Sequence, residues 1–419
     1  MLRHYNKAIA SLRVHDASDN KDFARVILVA CVLFVYVELL RGHYLTAQEH
    51  LRKGIALLEG TMSSKATARI ETPSSRHCRT TIDDETVEVL RGLQARTALM
   101  FPADWYTVHG SPDTKHESMT SDYLSFNQAK QVQDRLLSRA CALDARCHQD
   151  MVQGDTAPAP ELLCRQQYLS GQLEAWLYAY KSFFARRKAK VPLYDDVQDH
   201  ALRSHHAMAT IIVASCISPQ GPAVDACTAG FLSILTHSLG ILDLRRSTTF
   251  EQLHKKMYGT AVPQGPDHVI EMGWIPPLYY TAVNCRIPHL RFQAIRLLER
   301  SPHREGVWAA PIMAAIARKV MRIEDSESYD KLCNKQDFAW DVLPTKANCV
   351  LPPIDEYRMF HNVQIVLPDE PAGDVVIRCE RRRRSGGWEL IERAYDVPCA
   401  RWRTVTEPAA LSLKMAGAS

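Results

Sequence analysis

The chain has 419 residues, a formal net charge of +4, and a content of 46% hydrophobic and 23% charged residues. This length allows one large or two ordinary domains with a sizeable core, so disulfides and structural metals are not needed for stability. So small a charge excludes the strongly basic composition that is typical of nucleic-acid-binding domains. The most apolar run, Val26 to Val37, is too short to cross a bilayer and no secretory leader is visible, so we expect no membrane role.

Residues 1–60 are predicted to form an N-terminal helical hairpin that follows a short helix. The pattern of apolar and capping residues predicts a long helix that follows Asp22 and continues through Leu40, ended by Arg41 and Gly42. A return helix is predicted from Thr46 to Leu58. Apolar side chains surround the first of these helices almost completely, so we expect it to be central to the bundle. Residues 61–85 are rich in Ser, Thr and Arg and are predicted to be a flexible linker.

Residues 86–330 are predicted to form a helical regulatory domain. Its first helices are expected at Thr86–Met100, Tyr123–Ala142, Glu161–Phe184, Asp199–Ser215, Pro222–Leu242 and, as a short one, Phe250–Tyr258. Prolines then divide the stretch from Trp274 to Glu324 into three consecutive helices. In the second of them, the leucines form the apolar face and Arg291 is assigned to the opposite, polar face.

Residues 331–419 are predicted to be a β-containing C-terminal tail. Strands are expected at Val363–Leu367, Val375–Arg383 and Trp388–Arg393, and Ser385-Gly386-Gly387 is a turn of the hairpin type. The fold class is therefore all-α, a multi-helix bundle with a small C-terminal β-hairpin or sheet. The run Arg381, Arg382, Arg383 and Arg384 has two interpretations, a nuclear-import or phosphate-contacting patch and the solvent end of a hairpin strand.

Sequence motifs for standard chemistry are missing. The 419 residues contain no P-loop, no dinucleotide-binding glycine pattern, no nucleophile elbow and no H-E-x-x-H, so no catalytic or cofactor-binding residue is predicted and the chain is interpreted as a non-enzyme. The cluster His200, His205 and His206 has a spacing that does not suit one helix face, so no metal site is predicted. The twelve cysteines include no C-x2-C pair, which favours isolated, reduced thiols.

Two stretches of the chain match one known family in order and content. The first contains His4-Tyr5-Asn6-Lys7-Ala8-Ile9, Val26-Ile27-Leu28-Val29-Ala30-Cys31, Leu40-Arg41-Gly42-x-Tyr44 and His50-Leu51-Arg52-x-Gly54. The second contains Pro277-Leu278-Tyr279, Cys285-Arg286-x-Pro288, Ala294-Ile295-x-Leu297-Leu298, Arg304-Glu305-Gly306-x-Trp308 and Ile323-Glu324. Together they resemble the fungal-specific regulatory domain of fungal Zn2Cys6 (zinc-cluster) transcription factors. The chain departs mildly from the family at Ala309, where an acidic residue is commoner.

The resemblance implies a transcription regulator-like protein of the nucleus, with the cytoplasm as the alternative, that controls or once controlled a fungal secondary-metabolite gene cluster. It implies partners among other transcription regulators, or a second copy of the chain. The alternative function is a non-DNA-binding interaction or scaffold protein that modulates a full-length relative.

A larger departure from the family concerns the DNA-reading module. The two-zinc module of these regulators has halves that each begin with C-x2-C, and the pair Cys141 and Cys147 does not supply one. We therefore expect no direct sequence-specific DNA binding from this chain. Either it is a regulator from which the gene prediction omits the module, or it is a stand-alone regulatory domain that acts through a partner; zinc would be a cofactor only in the first case.

Overall fold

The computed structural model describes residues 21–68, 84–97, 99–100, 123–154, 159–187, 193–218, 222–247, 268–269, 273–301, 303–345, 349–370 and 373–405. Within these ranges the helices are α1 Lys21–Arg41, α2 Tyr44–Ala68, α3 Asp84–Thr97, α4 Phe126–Gln153, α5 Pro160–Arg187, α6 Leu193–Ser215, α7 Pro222–Ala226, α8 Thr228–Arg246, α9 Ile275–Asn284, α10 Pro288–Glu299, α11 Ala310–Glu324 and α12 Ser326–Cys333. The strands are β1 His268–Val269, β2 Arg304–Glu305, β3 Trp308–Ala309, β4 Asn362–Val366, β5 Val375–Arg382, β6 Trp388–Asp396 and β7 Arg401–Thr404. The prediction of a helical body with a small C-terminal sheet is confirmed.

The N-terminal hairpin differs from the prediction in the position of its first helix. Helix α1 packs on α2 through one face that carries Leu28, Val35 and Leu39, and Gly42, with φ 79°, ends it. Its other face is exposed and apolar: Val26, Val29, Leu33 and Leu40. The expectation that this helix is central to the bundle is therefore wrong, since these four side chains are between 40% and 58% exposed. Helix α2 continues to Ala68, beyond the predicted start of the linker.

Several helices differ in length from the predicted ones. Helix α4 continues eleven residues past the predicted end at Ala142, and Gly154, in the left-handed region, ends it by donating its N–H to carbonyls of the last turn. The predicted helix Pro222–Leu242 is divided into α7 and α8 at Cys227, and α8 continues to Arg246. The helix predicted at 250–258 and the short helix before α1 lie outside the described residues.

A stack of aromatic rings joins α4, α5 and α6. The Trp176 ring lies 4.8 Å from the Tyr180 ring and 5.2 Å from the His206 ring, nearly parallel to both. Its Nε1–H donates to the Ala129 carbonyl of α4 at 2.9 Å, so this ring bonds or stacks with all three helices. Large buried aromatic surfaces of this kind contribute strongly to core stability.

The stretch from Trp274 to Glu324 forms the three predicted helices, α9, α10 and α11. Between α10 and α11 the chain makes a short β2–β3 ribbon around Gly306, whose φ of 60° favours glycine. Glu305 accepts the backbone N–H of Trp274 at 3.1 Å and that of Ile275 at 3.2 Å, so its carboxylate caps the N-terminus of α9. His303 Nε2 lies 2.7 Å from the same carboxylate. The Arg304-Glu305-Gly306-x-Trp308 motif of the family resemblance therefore has a structural role: it connects α10 to α11 and caps α9.

Arg291 is a correction to the predicted polar face of α10. Its guanidinium is fully buried and forms an ion pair with Glu324 of α11. The position faces α9, α11 and the segment before the sheet, so the helix buries more of its circumference than its apolar stripe indicates.

The C-terminal sheet is antiparallel with the order β4-β5-β6-β7. On β5 the buried residues Val375, Ile377 and Cys379 alternate with partly exposed ones, as expected for a sheet with one face on a core. The β5–β6 turn contains Gly386 and Gly387 with φ values of 85° and 78°, which confirms the predicted hairpin. Strand β7 was not predicted. No helix within the described ranges has both the length and the apolarity needed to span a membrane.

Candidate interaction surface

The predicted arginine patch lies at the end of the β5–β6 hairpin, and two of its four members are engaged within the molecule. Arg381 Nε donates to Glu389 Oε2 at 2.7 Å, and its guanidinium lies over the Phe360 ring. Arg384 forms an ion pair with Asp355 and lies 5.3 Å from the centre of the Tyr357 ring. These contacts hold the hairpin against the segment that precedes the sheet.

The other two arginines of the run face solvent. Arg382 and Arg383 are exposed and form no ion pair with the described residues. A nuclear-import or phosphate-contacting patch is therefore reduced to these two side chains, with Arg381 and Arg384 fixed beside them. That patch stays a prediction.

The three clustered histidines of α6 point to three different partners. His205 Nε2–H donates to the Gly273 carbonyl at 2.9 Å, and His206 Nε2–H donates to the Leu173 carbonyl at 3.0 Å. His200 Nδ1 lies 3.0 Å from His237 Nδ1 of α8. The structure therefore does not bring the three together, and no group of three metal-ligating side chains occurs in the described part of the chain.

The Cys141 and Cys147 pair lies on α4, and both thiols are buried. Burial raises the pKa of Cys141, so the thiol is held in its neutral form. Both cysteines therefore belong to the packing between helices.

Polar side chains that the sequence did not single out join α4 to the sheet. His148 Nε2 lies 2.8 Å from Glu380 Oε2, and Asn362 Nδ2–H donates to the same oxygen at 3.0 Å. The hydrogen bond with His148 lowers the pKa of Glu380, and burial lowers the pKa of His361 to about 4. The rings of His148 and His361 both meet the Trp388 ring edge to face. Because α4 and β5 are far apart in sequence, no local pattern reveals this junction.

One face of α1 is exposed and apolar. Its four side chains, Val26, Val29, Leu33 and Leu40, are between 40% and 58% exposed and follow helical spacing. Contiguous exposed apolar surface of this kind is typical of protein contacts.

Comparison with known proteins gives one named relative. The chain is 24% identical over 405 aligned positions to the aspercryptin biosynthesis cluster-specific transcription regulator of Emericella nidulans. The alignment covers 77% of this chain and 62% of the relative, so the chain spans less than two thirds of the relative's length. No protein-family profile and no solved structure matches the chain. The chain is thus similar to a fungal cluster-specific transcription regulator, and the named relative is a regulator rather than an enzyme.

Proposed function

We propose that this chain is a nuclear regulator of transcription that controls a fungal secondary-metabolite gene cluster through its helical body. The similarity to the aspercryptin cluster regulator over 77% of the chain carries the proposal. The resemblance of the segments around α1–α2 and α9–α11 to the fungal regulatory domain supports it, as does the mostly helical architecture with its small terminal sheet.

In this proposal the helical body supplies contacts with protein partners, and sequence-specific contact with DNA comes from another chain. Two observations support this division. The 419 residues contain no C-x2-C pair, and the exposed face of α1 offers apolar surface to another regulator or to a second copy.

Deletion of the gene followed by transcript profiling tests the regulatory role. We expect the transcripts of a defined set of clustered biosynthetic genes to change, and complementation with the unchanged gene to restore them. Complementation with Leu33→Glu, on the exposed face of α1, is expected to fail, whereas Glu49→Gln on the exposed side of α2 restores the transcripts. An unchanged transcript profile in the deletion strain would sink the proposal.

Metal analysis and gel-shift experiments test the absence of a DNA-reading module. The purified chain is expected to bind no zinc at stoichiometric level and no specific duplex. Stoichiometric zinc, or a sequence-specific shift that survives raised salt, contradicts this part of the proposal, because non-specific binding weakens steeply with salt.

A second candidate function is modulation of a full-length relative by a chain that does not bind DNA. The absence of C-x2-C pairs favours it as well. A double deletion separates the two. If the chain only modulates a relative, its deletion changes no transcript in a strain that already lacks that relative, whereas an independent regulator still changes its own set.

The arginine run is assigned to nuclear import in this proposal, through Arg382 and Arg383. A fluorescent fusion of the double variant Arg382→Glu/Arg383→Glu is expected to move from the nucleus to the cytoplasm. Because both side chains are exposed and form no ion pair with the described residues, the fold is unaffected. Unchanged nuclear fluorescence would remove the patch from the proposal.

A further inference from the structure

Two arginines from different helices lie over one tryptophan ring at the surface of the helical body. The guanidinium carbon of Arg246, the last residue of α8, lies 5.2 Å from the centre of the Trp340 ring. The guanidinium carbon of Arg300, which directly follows α10, lies at the same distance from that centre. The face of an aromatic ring attracts a cation, and the N–H groups at the edge of a stacked guanidinium can still donate to an acceptor. The structure therefore holds two positively charged groups of hydrogen-bond donors beside one ring.

The segment that carries Trp340 follows α12, forms neither helix nor strand, and is fixed on α10. The Gln293 side chain has no exposed surface, and its Nε2 amide donates to the Trp340 carbonyl at 3.0 Å and to the Val342 carbonyl at 2.8 Å. The Phe338 ring meets the Phe292 ring of α10 edge to face, with centres 4.8 Å apart. Because the segment is already ordered, a partner that binds it loses little entropy in ordering it.

Two apolar side chains extend this surface. Val342 is 61% exposed and Leu343 is 41% exposed, and both follow Trp340 closely in the chain. We name the group Arg246, Arg300, Trp340, Val342 and Leu343 the Trp340 patch. Tryptophan and arginine are the residue types that most often carry the binding energy of protein interfaces, and their neighbours exclude water from such contacts. The composition of the Trp340 patch therefore indicates a contact with another protein.

The charge of the Trp340 patch selects the chemistry of this other protein. Arg300 is exposed and has no ion pair with any residue in the described ranges. Arg246 approaches the carboxylate of Asp341 at 3.9 Å, and both side chains are about half exposed, so their pair contributes little. A carboxylate can accept two N–H groups from one guanidinium edge, which makes it a well-fitting counter-charge. A basic partner is repelled, and an uncharged one removes water from the arginines without replacing its hydrogen bonds.

We propose that the Trp340 patch binds a segment of a partner protein in which acidic side chains stand beside apolar ones. Carboxylates of this segment pair with Arg246 and Arg300, and its apolar side chains cover Val342 and Leu343. A nucleic acid fits less well, because its phosphates find no donor in the side chains of Val342 and Leu343. The patch shares no residue with the exposed face of α1, and its binding stands independently of any role in transcription.

Selection of random peptides displayed on phage, with the purified full-length chain as the target, tests the proposal. We expect the enriched peptides to carry several aspartates or glutamates next to leucine, isoleucine, valine or phenylalanine. A fluorescent synthetic copy of an enriched peptide is expected to bind saturably, as measured by anisotropy. The same peptide with amides in place of its carboxylates is expected to bind roughly tenfold more weakly.

Two variants of the patch are expected to change this affinity in opposite directions. Arg246→Glu/Arg300→Glu weakens the acidic peptide by roughly tenfold or more, because it replaces both positive groups with negative ones. Asp341→Asn strengthens the peptide by about threefold, because it removes the carboxylate that competes for Arg246. A fault in folding does not produce this gain, so the two variants together separate binding from stability.

The matched control for the charge reversal is Arg322→Glu on α11. Arg322 is also exposed, lies 5.2 Å from the centre of the Tyr329 ring and approaches Asp330 at 3.8 Å. It therefore reproduces the surroundings of Arg246 at a place outside the Trp340 patch. Its substitution is expected to leave the affinity for the acidic peptide at the wild-type value.

The outcomes that overturn the proposal are distinct. No enrichment, enrichment of peptides without acidic residues, or equal binding of the acidic peptide by wild type and Arg246→Glu/Arg300→Glu removes the acidic partner. Sedimentation velocity that shows self-association of the wild-type chain, lost in the double variant, assigns the patch to a second copy instead. Tighter binding of a mixed-sequence duplex than of the peptide, also lost in the double variant, assigns it to nucleic acid.

Discussion

Arg291 Nη1 lies 2.5 Å from Glu324 Oε2, and neither side chain has any exposed surface. Arg291 Nε donates to the Ala282 carbonyl of α9 at 2.8 Å, while Glu324 accepts the N–H of Phe360 at 2.6 Å. Burial raises the pKa of Glu324, and the guanidinium of Arg291 opposes this effect. The pair therefore connects three helices with the segment that leads into the sheet.

Removal of one member of this pair is expected to destabilise the fold severely. Arg291→Met leaves the Glu324 carboxylate buried without its counter-charge, which costs about 3–5 kcal/mol, whereas Arg291→Met/Glu324→Leu recovers most of the loss. Urea unfolding measures both. The control is Arg296→Met on the same helix, whose partly exposed pair with Glu299 is worth about 0–1 kcal/mol. An Arg291→Met variant within 1 kcal/mol of wild type contradicts this account.

The sequence predicts most helices because their apolar stripes and prolines are local signals. It predicts α9–α11 well, since Pro277 and Pro288 stand in the first turns of two of them. It does not predict the burial of Arg291, because the partner of a buried charge lies elsewhere in the chain. The position of α1 was wrong for a related reason: an apolar circumference does not reveal which face finds a partner.

The candidate sites show the same limit. The sequence shows only that four arginines are consecutive. The structure shows that Arg381 and Arg384 have acidic partners, while Arg382 and Arg383 form no ion pair with the residues it describes.

A close approach between α6 and α8 makes Gly240 sensitive to substitution. A Cβ atom there would lie 2.5 Å from His200 Cε1, so Gly240→Ala is expected to destabilise the chain by about 1–3 kcal/mol. The matched control is Gly171→Ala in α5, where a Cβ meets no atom within 4 Å. There the gain in helix propensity stabilises by up to about 1 kcal/mol. Thermal unfolding checks that the melting temperature falls for Gly240→Ala and rises for Gly171→Ala. Two shifts in the same direction refute the explanation.

Because the Glu305 carboxylate caps the N-terminus of α9, we expect its removal to lower the free energy of unfolding. Glu305→Ala leaves the N–H groups of Trp274 and Ile275 without acceptors in a buried place and is expected to cost about 1–3 kcal/mol. Glu305→Gln keeps one acceptor oxygen and is expected to lose less. Denaturant unfolding measures the free energies of unfolding, which we expect to decrease from wild type to Glu305→Gln to Glu305→Ala. An alanine variant as stable as wild type shows that the cap is dispensable. The comparison Glu327→Ala, in an exposed pair with Lys331, stays within about 0.5 kcal/mol.

The imidazole pair between α6 and α8 makes stability depend on pH. Burial first, and then the charges of His200 and Arg203, lower the pKa of His237 to about 4, while Asp199 opposes them. A folded-state pKa below the unfolded value of about 6.5 means that the stabilisation is present above pH 6.5 and is lost as the pH falls towards 4. Between pH 7 and pH 5, His237→Gln is therefore expected to lose about 2 kcal/mol less unfolding free energy than wild type. The control Thr236→Gln, at an exposed position of the same helix, is expected to keep the wild-type change of unfolding free energy with pH. Urea titrations at both pH values measure this difference, and identical slopes for His237→Gln and wild type would show that the pair does not titrate with folding.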